Sequence, residues 1–375
     1  IMVITGGPGT GKTTLIRAII TAAEQNGLEP ALMAPTGRAA KRLAISSGRD
    51  ADTIHKALEA SVRETGRTYF ERNEANPLEE DLIIVDEASM LDISLFYHLL
   101  CALKDGARLI LVGDIDQLPP VGAGEPLKDL MSWGYVRIVR LKRIFRQEEG
   151  SGIVENAALI RKGEMCVPDE AGEFRIIYAA DDEDAYRIVM DLCRELNYGN
   201  EENKMLLQVL SPMYRGVCGV DHLNESLQEM IHGEKVPDGM KFFPGDKVMQ
   251  TRNDYEKGIY NGDVGTVWTA TPQKVFVRYF DKEVVYEGEE RFDLRLAYAV
   301  TVHKSQGSEY ETVIFILRPS QHNMLQRNLL YTGVTRARKN TILVTAPDAL
   351  RRALAIQHTG NRYSLFLPFL NHEAL

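Results

Sequence analysis

The chain is poor in cysteine, with only Cys101, Cys166, Cys193 and Cys218 among 375 residues, and no two of them form a C-x-x-C pair. Neither a disulfide framework nor a zinc cluster is indicated, and a reduced, cytosolic setting is expected. No apolar run approaches the ~20 residues that span a bilayer. The chain opens in an apolar segment that lacks the basic region and cleavage site of a signal peptide, so nothing in it points to a membrane.

An excess of positive charge is also absent. The net charge is −9 and the isoelectric point is near 5.5, which argues against a protein that coats itself in nucleic acid indiscriminately. A local basic channel is not excluded by this balance. The length allows about two to three domains, and the composition is that of an ordinary soluble globular protein.

A glycine-rich loop follows the first apolar run, Ile1 to Thr5. Glycines permit positive φ and leave no Cβ in the way, so backbone N–H groups can converge on phosphate oxygens at the start of a helix. The lysine adds a point charge at the β- and γ-phosphates, and the next threonine hydroxyl completes a Mg²⁺ shell. The alternative of a plain glycine turn is weak because the G-x-x-x-x-G-K-T pattern is complete. We therefore predict a nucleotide-phosphate site at Gly6, Gly7, Pro8, Gly9, Thr10, Gly11, Lys12, Thr13 and Thr14.

An acidic pair ends a second apolar run, Leu82 to Val85. Such a pair is by itself often a solvated turn. After a phosphate-binding loop it indicates instead that Asp86 holds Mg²⁺, directly or through water, and that Glu87 orients and deprotonates the attacking water.

The pattern of strands and helices predicts two doubly wound α/β domains with parallel sheets. The first is expected over residues 1–150, with a β-hairpin inserted at 58–80. The second is expected over 151–235 and 291–375. Between its two parts, residues 236–290 contain short strands and glycine turns but no helical pattern, which predicts an inserted small β-barrel.

A family resemblance begins at Gly113-Asp114-Ile115-Asp116-Gln117-Leu118-Pro119-Pro120, which resembles motif III of superfamily 1 helicases. By that resemblance Gln117 senses the γ-phosphate and Asp114 supports the metal side. Five further segments resemble the remaining motifs in order: Ala34–Ala40 (motif Ia), Thr53–His55 (a single-strand contact), Leu141–Gln147 (motif IV), Tyr298–Glu309 (motif V) and Leu330–Arg338 (motif VI).

The segments Val209–Met213 and Gly219–Asn224, the barrel sequence Asn261-Gly262-Asp263 and the Val302–Gly307 form of motif V are similar to the bacterial RecD-like DNA helicases. The resemblance implies two RecA-like P-loop motor domains that use ATP and Mg²⁺. It implies that Arg146 and Arg336 reach the γ-phosphate, Arg336 as an arginine finger, and that Glu309 helps bind the nucleotide. Arg338 and Lys339 are expected to be solvated helix charges instead.

The same resemblance implies a monomeric motor that moves 5′ to 3′ on single-stranded DNA and works at junctions of single and double strands. Membership of a larger recombination or repair complex is a further alternative. The expected DNA contacts are Pro35, Thr36, Gly37, His55, Thr301, His303 and Lys304. The hairpin around Gly66 is either the wedge that splits the duplex or an idle surface hairpin.

Two other functions stay open from the sequence: a DNA-stimulated ATPase switch that does not unwind, and the motor part of a relaxase or exonuclease complex. One departure from the family is expected. The glutamine-bearing segment that reads adenine upstream of the first strand is missing ahead of Ile1, which puts adenine selectivity in doubt.

Overall fold

The computed structural model describes residues 1–62, 68–143, 151–233, 239–254, 256–280, 282–357 and 366–371. They form two compact units. The first contains residues 1–143 and 366–371, and the second contains residues 151–357. Among the described helices, none combines the length and the apolar character needed to span a bilayer.

A six-stranded parallel sheet in the order β3-β2-β6-β7-β1-β8 forms the centre of the first unit. Its strands carry apolar residues on both faces, as expected where helices cover the two sides. In β6, for example, Leu82 and Ile84 pack into one core while Ile83 and Val85 pack into the other. The strands of this unit are β1 (Met2–Gly6), β2 (Pro30–Ala34), β3 (Asp52–Thr53), β4 (Ala60–Val62), β5 (Thr68–Phe70), β6 (Leu82–Val85), β7 (Arg108–Gly113) and β8 (Arg137–Leu141).

The helices of the first unit start at side-chain caps where the sequence offers them. Thr36, Thr53 and Asp92 each accept a hydrogen bond from a backbone N–H of the first turn that has no partner inside the helix. These helices are α1 (Lys12–Gln25), α2 (Gly37–Ser47), α3 (Ile54–Ala57), α4 (Ile93–Cys101) and α5 (Pro126–Trp133).

The inserted hairpin consists of β4 and β5, which pair antiparallel through Ala60 with Phe70 and Ser61 with Tyr69. Phe70 anchors it because its ring is buried in the core of the unit. The tip around Gly66 lies outside the described residues.

A five-stranded parallel sheet in the order β16-β10-β17-β18-β9 forms the centre of the second unit. One strand of this sheet begins at Leu207, directly after Met205 and Leu206 complete a helix that is capped by Asn200. The strands are β9 (Phe174–Tyr178), β10 (Leu207–Ser211), β11 (Lys247–Gln250), β12 (Val264–Ala270), β13 (Lys274–Arg278), β14 (Glu283–Glu287), β15 (Leu294–Leu296), β16 (Ala299–Thr301), β17 (Tyr310–Leu317) and β18 (Ala337–Thr345). The helices are α6 (Gly152–Lys162), α7 (Asp182–Glu195), α8 (Glu201–Leu206), α9 (Val220–His232), α10 (Arg327–Val334) and α11 (Pro347–Ala355).

An antiparallel sheet, β14-β13-β12-β11-β15, is inserted in this unit and has its own apolar core, which includes Phe242, Val267 and Tyr286. It corresponds to the barrel expected at 236–290 but extends further. Leu296 pairs with Val248, so β15 belongs to the same sheet.

The C-terminal helix α12 (Phe366–Leu370) belongs to the first unit, whereas the sequence prediction assigned residues up to 375 to the second domain. Trp133 Nε1 donates to the carbonyl of Leu370 at 3.1 Å. The rings of Phe96 and Phe366 meet edge to face, with centroids 5.8 Å apart. The short apolar helix α12 therefore packs on the apolar surfaces of α4 and α5.

Candidate functional site

The loop between β1 and α1 has the backbone of a phosphate cradle. Gly9 and Gly11 adopt φ of 70° and 81°, a region that glycine enters without steric cost. The Lys12 Nζ donates to the carbonyls of Gly6 and Gly7 at 2.7 and 2.9 Å, so its charge is held over the loop. The predicted partner Thr13 lies in the first turn of α1, half-buried. A cationic group and the first amides of a fourteen-residue helix thus meet at one point, which suits a polyphosphate.

The predicted acidic pair is buried at the carboxyl end of β6. Burial, together with the neighbouring Glu87 carboxylate, raises the pKa of Asp86 to about 6 against the opposing charges of Arg42 and Lys12. The Asp86 carboxylate accepts a hydrogen bond from the backbone N–H of Glu87 at 2.9 Å. A buried carboxylate whose charge is this disfavoured fits a divalent cation, since a cation would compensate the charge.

Glu87 stands in a strained backbone position, with φ 51° and ψ 37°. Left-handed backbone is costly for a residue with a long side chain, and such positions concentrate at functional sites. The Glu87 carboxylate is paired with Arg42 of α2, with Nη2 and Oε1 3.3 Å apart. Arg42 did not figure among the predicted site residues.

Three predicted segments follow neighbouring strands of one parallel sheet, in the order β6-β7-β1. Their carboxyl ends lie at the same edge, so the acidic pair, the Asp114–Gln117 segment and the phosphate loop are brought together. The approach is close: a Cβ on Gly113 would meet the backbone nitrogen of Ser89 at 3.0 Å.

Gln117, the predicted γ-phosphate sensor, is buried at this edge. Within the described part of the chain, its Oε1 has no hydrogen-bond partner. Buried polar atoms are almost always paired, so an unpartnered side-chain oxygen at this position is suited to a bound group that donates a hydrogen bond, such as a water. Asp114 is buried and accepts from the N–H of Asp116 at 3.1 Å.

The predicted DNA contacts of the first unit lie on short caps and turns. Thr36 caps α2, with its Oγ1 accepting from Ala39 N at 3.3 Å, and Pro35 and Gly37 flank it. His55 is half-buried on α3, 5.9 Å from the ring of Phe70. Burial lowers the pKa of His55, against the Asp92 charge that raises it, so the imidazole is neutral at physiological pH.

In the second unit, the predicted contacts Thr301, His303 and Lys304 occupy the turn after β16. Thr301 Oγ1 accepts from the N–H of Lys304 at 3.2 Å. The Lys304 Nζ donates to Asn261 of the inserted sheet at 2.7 Å. Burial and the nearby Arg295 lower the pKa of Lys304.

A cavity of about 730 Å³ opens beside this turn, between β16, α9 and the inserted sheet. Thr301 and Lys304 line it together with Lys241, Arg295 and Tyr214, which were not predicted. The Arg295 guanidinium lies 5.9 Å from the centre of the Tyr214 ring. Two carboxylates, Asp221 and Glu225, also line the cavity, and Asp221 lies 3.9 Å from Arg295. Basic groups beside an aromatic ring form the combination that binds phosphates and stacks bases of single strands.

The predicted arginine finger is held within its own unit. Arg336 is only 3% exposed and donates to the carbonyls of Thr332 and Ser308, each at 3.1 Å. Arg146 lies outside the described residues. Glu309 accepts two hydrogen bonds from Arg338, at 3.2 and 3.1 Å.

The expectation that Arg338 and Lys339 are solvated helix charges is wrong in one respect. Both lie on strand β18, because the helix α10 ends at Val334. They are exposed, as expected, and Lys339 pairs with Glu311 at 2.8 Å.

Three family models match the chain. They are an AAA domain over residues 1–123, the SH3 domain of ATP-dependent RecD-like DNA helicases over 223–279, and a UvrD-like helicase C-terminal domain over 296–344. The second of these coincides with α9 and most of the inserted sheet.

Relatives among characterised proteins match nearly the whole chain. The ATP-dependent RecD2 DNA helicase of Deinococcus radiodurans is 39% identical over 369 residues, which cover 97% of this chain and 50% of that protein. The RecBCD enzyme subunit RecD of Mycolicibacterium smegmatis is 34% identical over 405 residues, which cover 97% of this chain and 72% of that protein. The chain thus spans half the length of the first relative and more of the second.

Solved structures support the fold. The Pif1 helicase from Bacteroides, crystallised with ADP-AlF3 and ssDNA, has a TM-score of 0.58 at 22% identity, covering 99% of this chain and 92% of that one. The Pif1 helicase from Candida albicans also has a TM-score of 0.58, at 20% identity, covering 96% and 93%. The expected fold class, two α/β motor domains with an inserted small β domain, is confirmed.

The sequence relatives, the RecD-like SH3 domain and the motif order agree with one another, and the chain belongs to the RecD-like family of DNA helicases.

Proposed function

We propose that this chain is an ATP-driven motor that moves 5′ to 3′ on single-stranded DNA and unwinds duplex DNA. The observation that carries the proposal is the meeting of the phosphate loop, the buried acidic pair and the unpartnered side-chain oxygen of Gln117 at one sheet edge. The polarity is supported by family membership and not by any contact of a particular residue.

The nucleotide is ATP, held by the loop from Gly6 to Thr14 with Lys12 against the β- and γ-phosphates. Mg²⁺, when bound, would neutralise phosphate charge and supply Lewis acidity. Thr13 and Asp86 would hold it, which suits an ion that takes one or two carboxylates plus phosphates. Glu87 orients the attacking water and accepts its proton. Gln117 reads the γ-phosphate, and Glu309 helps hold the nucleotide.

We assign Arg146 and Arg336 the role of contacting the phosphoryl group during its transfer, because each lies in a motif whose arginine has this role. For Arg336 this role requires its carbonyl contacts at Thr332 and Ser308 to be exchanged for phosphate oxygens. An arginine so placed contributes about 10³- to 10⁵-fold in turnover in related phosphoryl transfers.

The DNA track uses small polar groups and amides at Pro35, Thr36 and Gly37, with His55 beside them. In the other unit it uses Thr301, His303 and Lys304, and we add Arg295 and Tyr214 of the 730 Å³ cavity. These contacts favour backbone and base faces over base edges, as a motor that must grip every sequence requires.

We keep the predicted domain limits as a proposal, with the inserted sheet extended to Leu296 and residues 366–371 moved to the first domain. Partners are single-stranded DNA and its junctions with duplex. The RecBCD naming of one relative favours a larger recombination complex, and the cysteine usage favours a cytoplasmic setting.

Lys12→Ala tests the nucleotide site. We expect ATP hydrolysis to fall by at least about 10³-fold while DNA binding stays measurable, because only the phosphate charge partner is removed. Lys128→Ala is the matched control, since this exposed lysine pairs only with the nearby Glu125 among its described salt bridges. Hydrolysis at the wild-type rate in Lys12→Ala contradicts the site.

Duplexes with a single 5′ or a single 3′ tail test the direction. Preferential unwinding of the 5′-tailed duplex is the expected result, and a preference for the 3′ tail contradicts it. DNA-stimulated hydrolysis without unwinding of either duplex would favour the switch alternative. Deleting residues 64–67 then separates the roles of the hairpin: loss of unwinding with hydrolysis retained indicates a wedge.

A further inference from the structure

The ion pair between Arg42 and Glu87 joins two functional segments that lie far apart in sequence. The pair measures 3.3 Å from Nη2 to Oε1. The Glu87 side chain is 6% exposed and that of Arg42 is 31% exposed. The residue proposed to activate water is therefore paired with a cation that belongs to α2.

Helix α2 connects that cation to the proposed DNA contacts. The helix runs from Gly37 to Ser47 and is capped by Thr36, so Arg42 stands five residues beyond the first helical residue. At 1.5 Å per residue this is about 7.5 Å along one continuous helix. Ala39, Ala40 and Leu43 are the buried positions of this helix, so its capped start and Arg42 belong to one packed element.

We propose that Arg42 is a positioning residue that restrains Glu87 until DNA engages the start of α2. This inference rests on the proposed function. A carboxylate paired with a guanidinium has part of its hydrogen-bonding capacity occupied and is held toward that partner, so it is less free to orient a water. ATP hydrolysis is therefore slower while Glu87 is paired with Arg42.

The release requires only a small movement. A displacement of about 1 Å takes a 3.3 Å pair beyond the ~4 Å limit of a salt bridge. DNA that binds the Pro35–Gly37 segment more tightly in the shifted position of α2 favours the released state, and its differential affinity sets the size of the effect. ATP hydrolysis is thereby coupled to occupancy of the DNA track inside one unit.

The strain at Glu87 supports this role. A left-handed residue persists only where the surroundings hold it, and the bond from Arg42 is one such hold. When it is released, the carboxylate can turn toward the phosphate loop on β1, two strands away from β6.

Arg42→Gln tests the inference on this 375-residue chain, with ATP hydrolysis measured with and without a saturating single-stranded oligonucleotide. We expect kcat without DNA to rise about fivefold, the equivalent of the ~1 kcal/mol of a partly exposed ion pair. The KM for ATP should be unchanged, and the ratio of DNA-stimulated to basal kcat should fall by the same factor. Arg42→Lys, which keeps the charge but not the forked geometry, should restore part of the ratio.

Two further variants separate the role from general damage. Arg49→Gln removes a different arginine just after α2, which pairs with Glu24 at 2.6 Å, and should leave the ratio unchanged. Combining Arg42→Gln with Glu87→Gln should abolish the extra basal hydrolysis, because that activity requires the released carboxylate.

A fall of kcat in Arg42→Gln, equal with and without DNA, overturns the inference, since Arg42 would then support catalysis. An unchanged ratio overturns it as well. A wild-type chain whose hydrolysis DNA does not stimulate also overturns it, while the nucleotide site stands on the Lys12→Ala result. Hydrolysis that survives Lys12→Ala contradicts the proposed function itself. Failure of the proposed function can therefore be distinguished from failure of this inference.

Discussion

Replacing Asp86 with Asn should make the metal-free protein more stable. The pKa of Asp86 rises from 3.8 to about 6 on folding, chiefly through burial. The folded chain therefore holds this proton more tightly than the unfolded chain, and stability falls as pH increases from about 4 through 6. At about 1.4 kcal/mol per pKa unit, the cost at pH 8 is up to about 3 kcal/mol.

Asparagine removes this cost and keeps the side-chain oxygen that accepts the Glu87 N–H at 2.9 Å. At pH 8 in EDTA the variant should therefore gain up to about 3 kcal/mol. For a unit of this size, that corresponds to an increase of up to roughly 6–12 °C in the melting temperature of the first unit. At pH 4.5 the gain should shrink to about 1 kcal/mol, because most wild-type Asp86 is then protonated in the folded chain.

Thermal melts at both pH values, with and without Mg²⁺ and ADP, measure these effects. The exposed Asp105→Asn is the control for charge removal in the same unit. Magnesium with nucleotide should reverse the order of stability, because only wild type offers a carboxylate to the metal. A variant that melts at or below the wild-type temperature in EDTA at pH 8 would refute the reasoning.

Three further changes test other parts of the structure. Gly333→Ala should destabilise the second unit by about 1–3 kcal/mol in urea titrations, because the new Cβ would meet the Phe315 ring at 2.5 Å; an unchanged midpoint would contradict that packing. Arg295→Gln should weaken binding of a single-stranded oligonucleotide and reduce the slope of log K against log salt by about 0.7, the loss of one phosphate contact; an unchanged slope would remove Arg295 from the DNA track. Trp133→Phe deletes the bond to the Leu370 carbonyl and should speed hydrogen exchange in α12 by about threefold to tenfold; equal exchange would show that packing alone holds the helix.

The buried strands and the nucleotide loop could be predicted because their signals are local. The run from Leu82 to Val85 is apolar at every position, which specifies a strand covered on both faces. The glycines of the phosphate loop occur in a fixed spacing, and two of them adopt the positive φ that the spacing implies. The position of the acidic pair could be predicted for the same reason, because Asp86 and Glu87 directly follow the last residue of this strand.

The residues that were missed depend on contacts between distant parts of the sequence. Nothing near Arg42 indicates that its side chain reaches Glu87, 45 positions away. Arg295 reads as an ordinary charge in an alternating strand, and only the packing of the inserted sheet places it beside Tyr214 at the cavity. The helix α12 is short and apolar, and its attachment to α5 follows from the shape of the folded unit and not from any local pattern.

That attachment has a consequence during synthesis on the ribosome. Trp133 and its partner Leu370 are separated by 237 positions. At a translation rate of roughly 5–20 residues per second, α12 is therefore synthesised about 10–50 s after the surface of α5 that it covers. Throughout that interval Trp133 and Phe96 form an uncovered apolar surface that can associate with other proteins. The first sheet of the nascent chain has by then already left the ribosome. The first unit is therefore completed only after the second has been synthesised, and a chaperone that shields α5 would act in this interval.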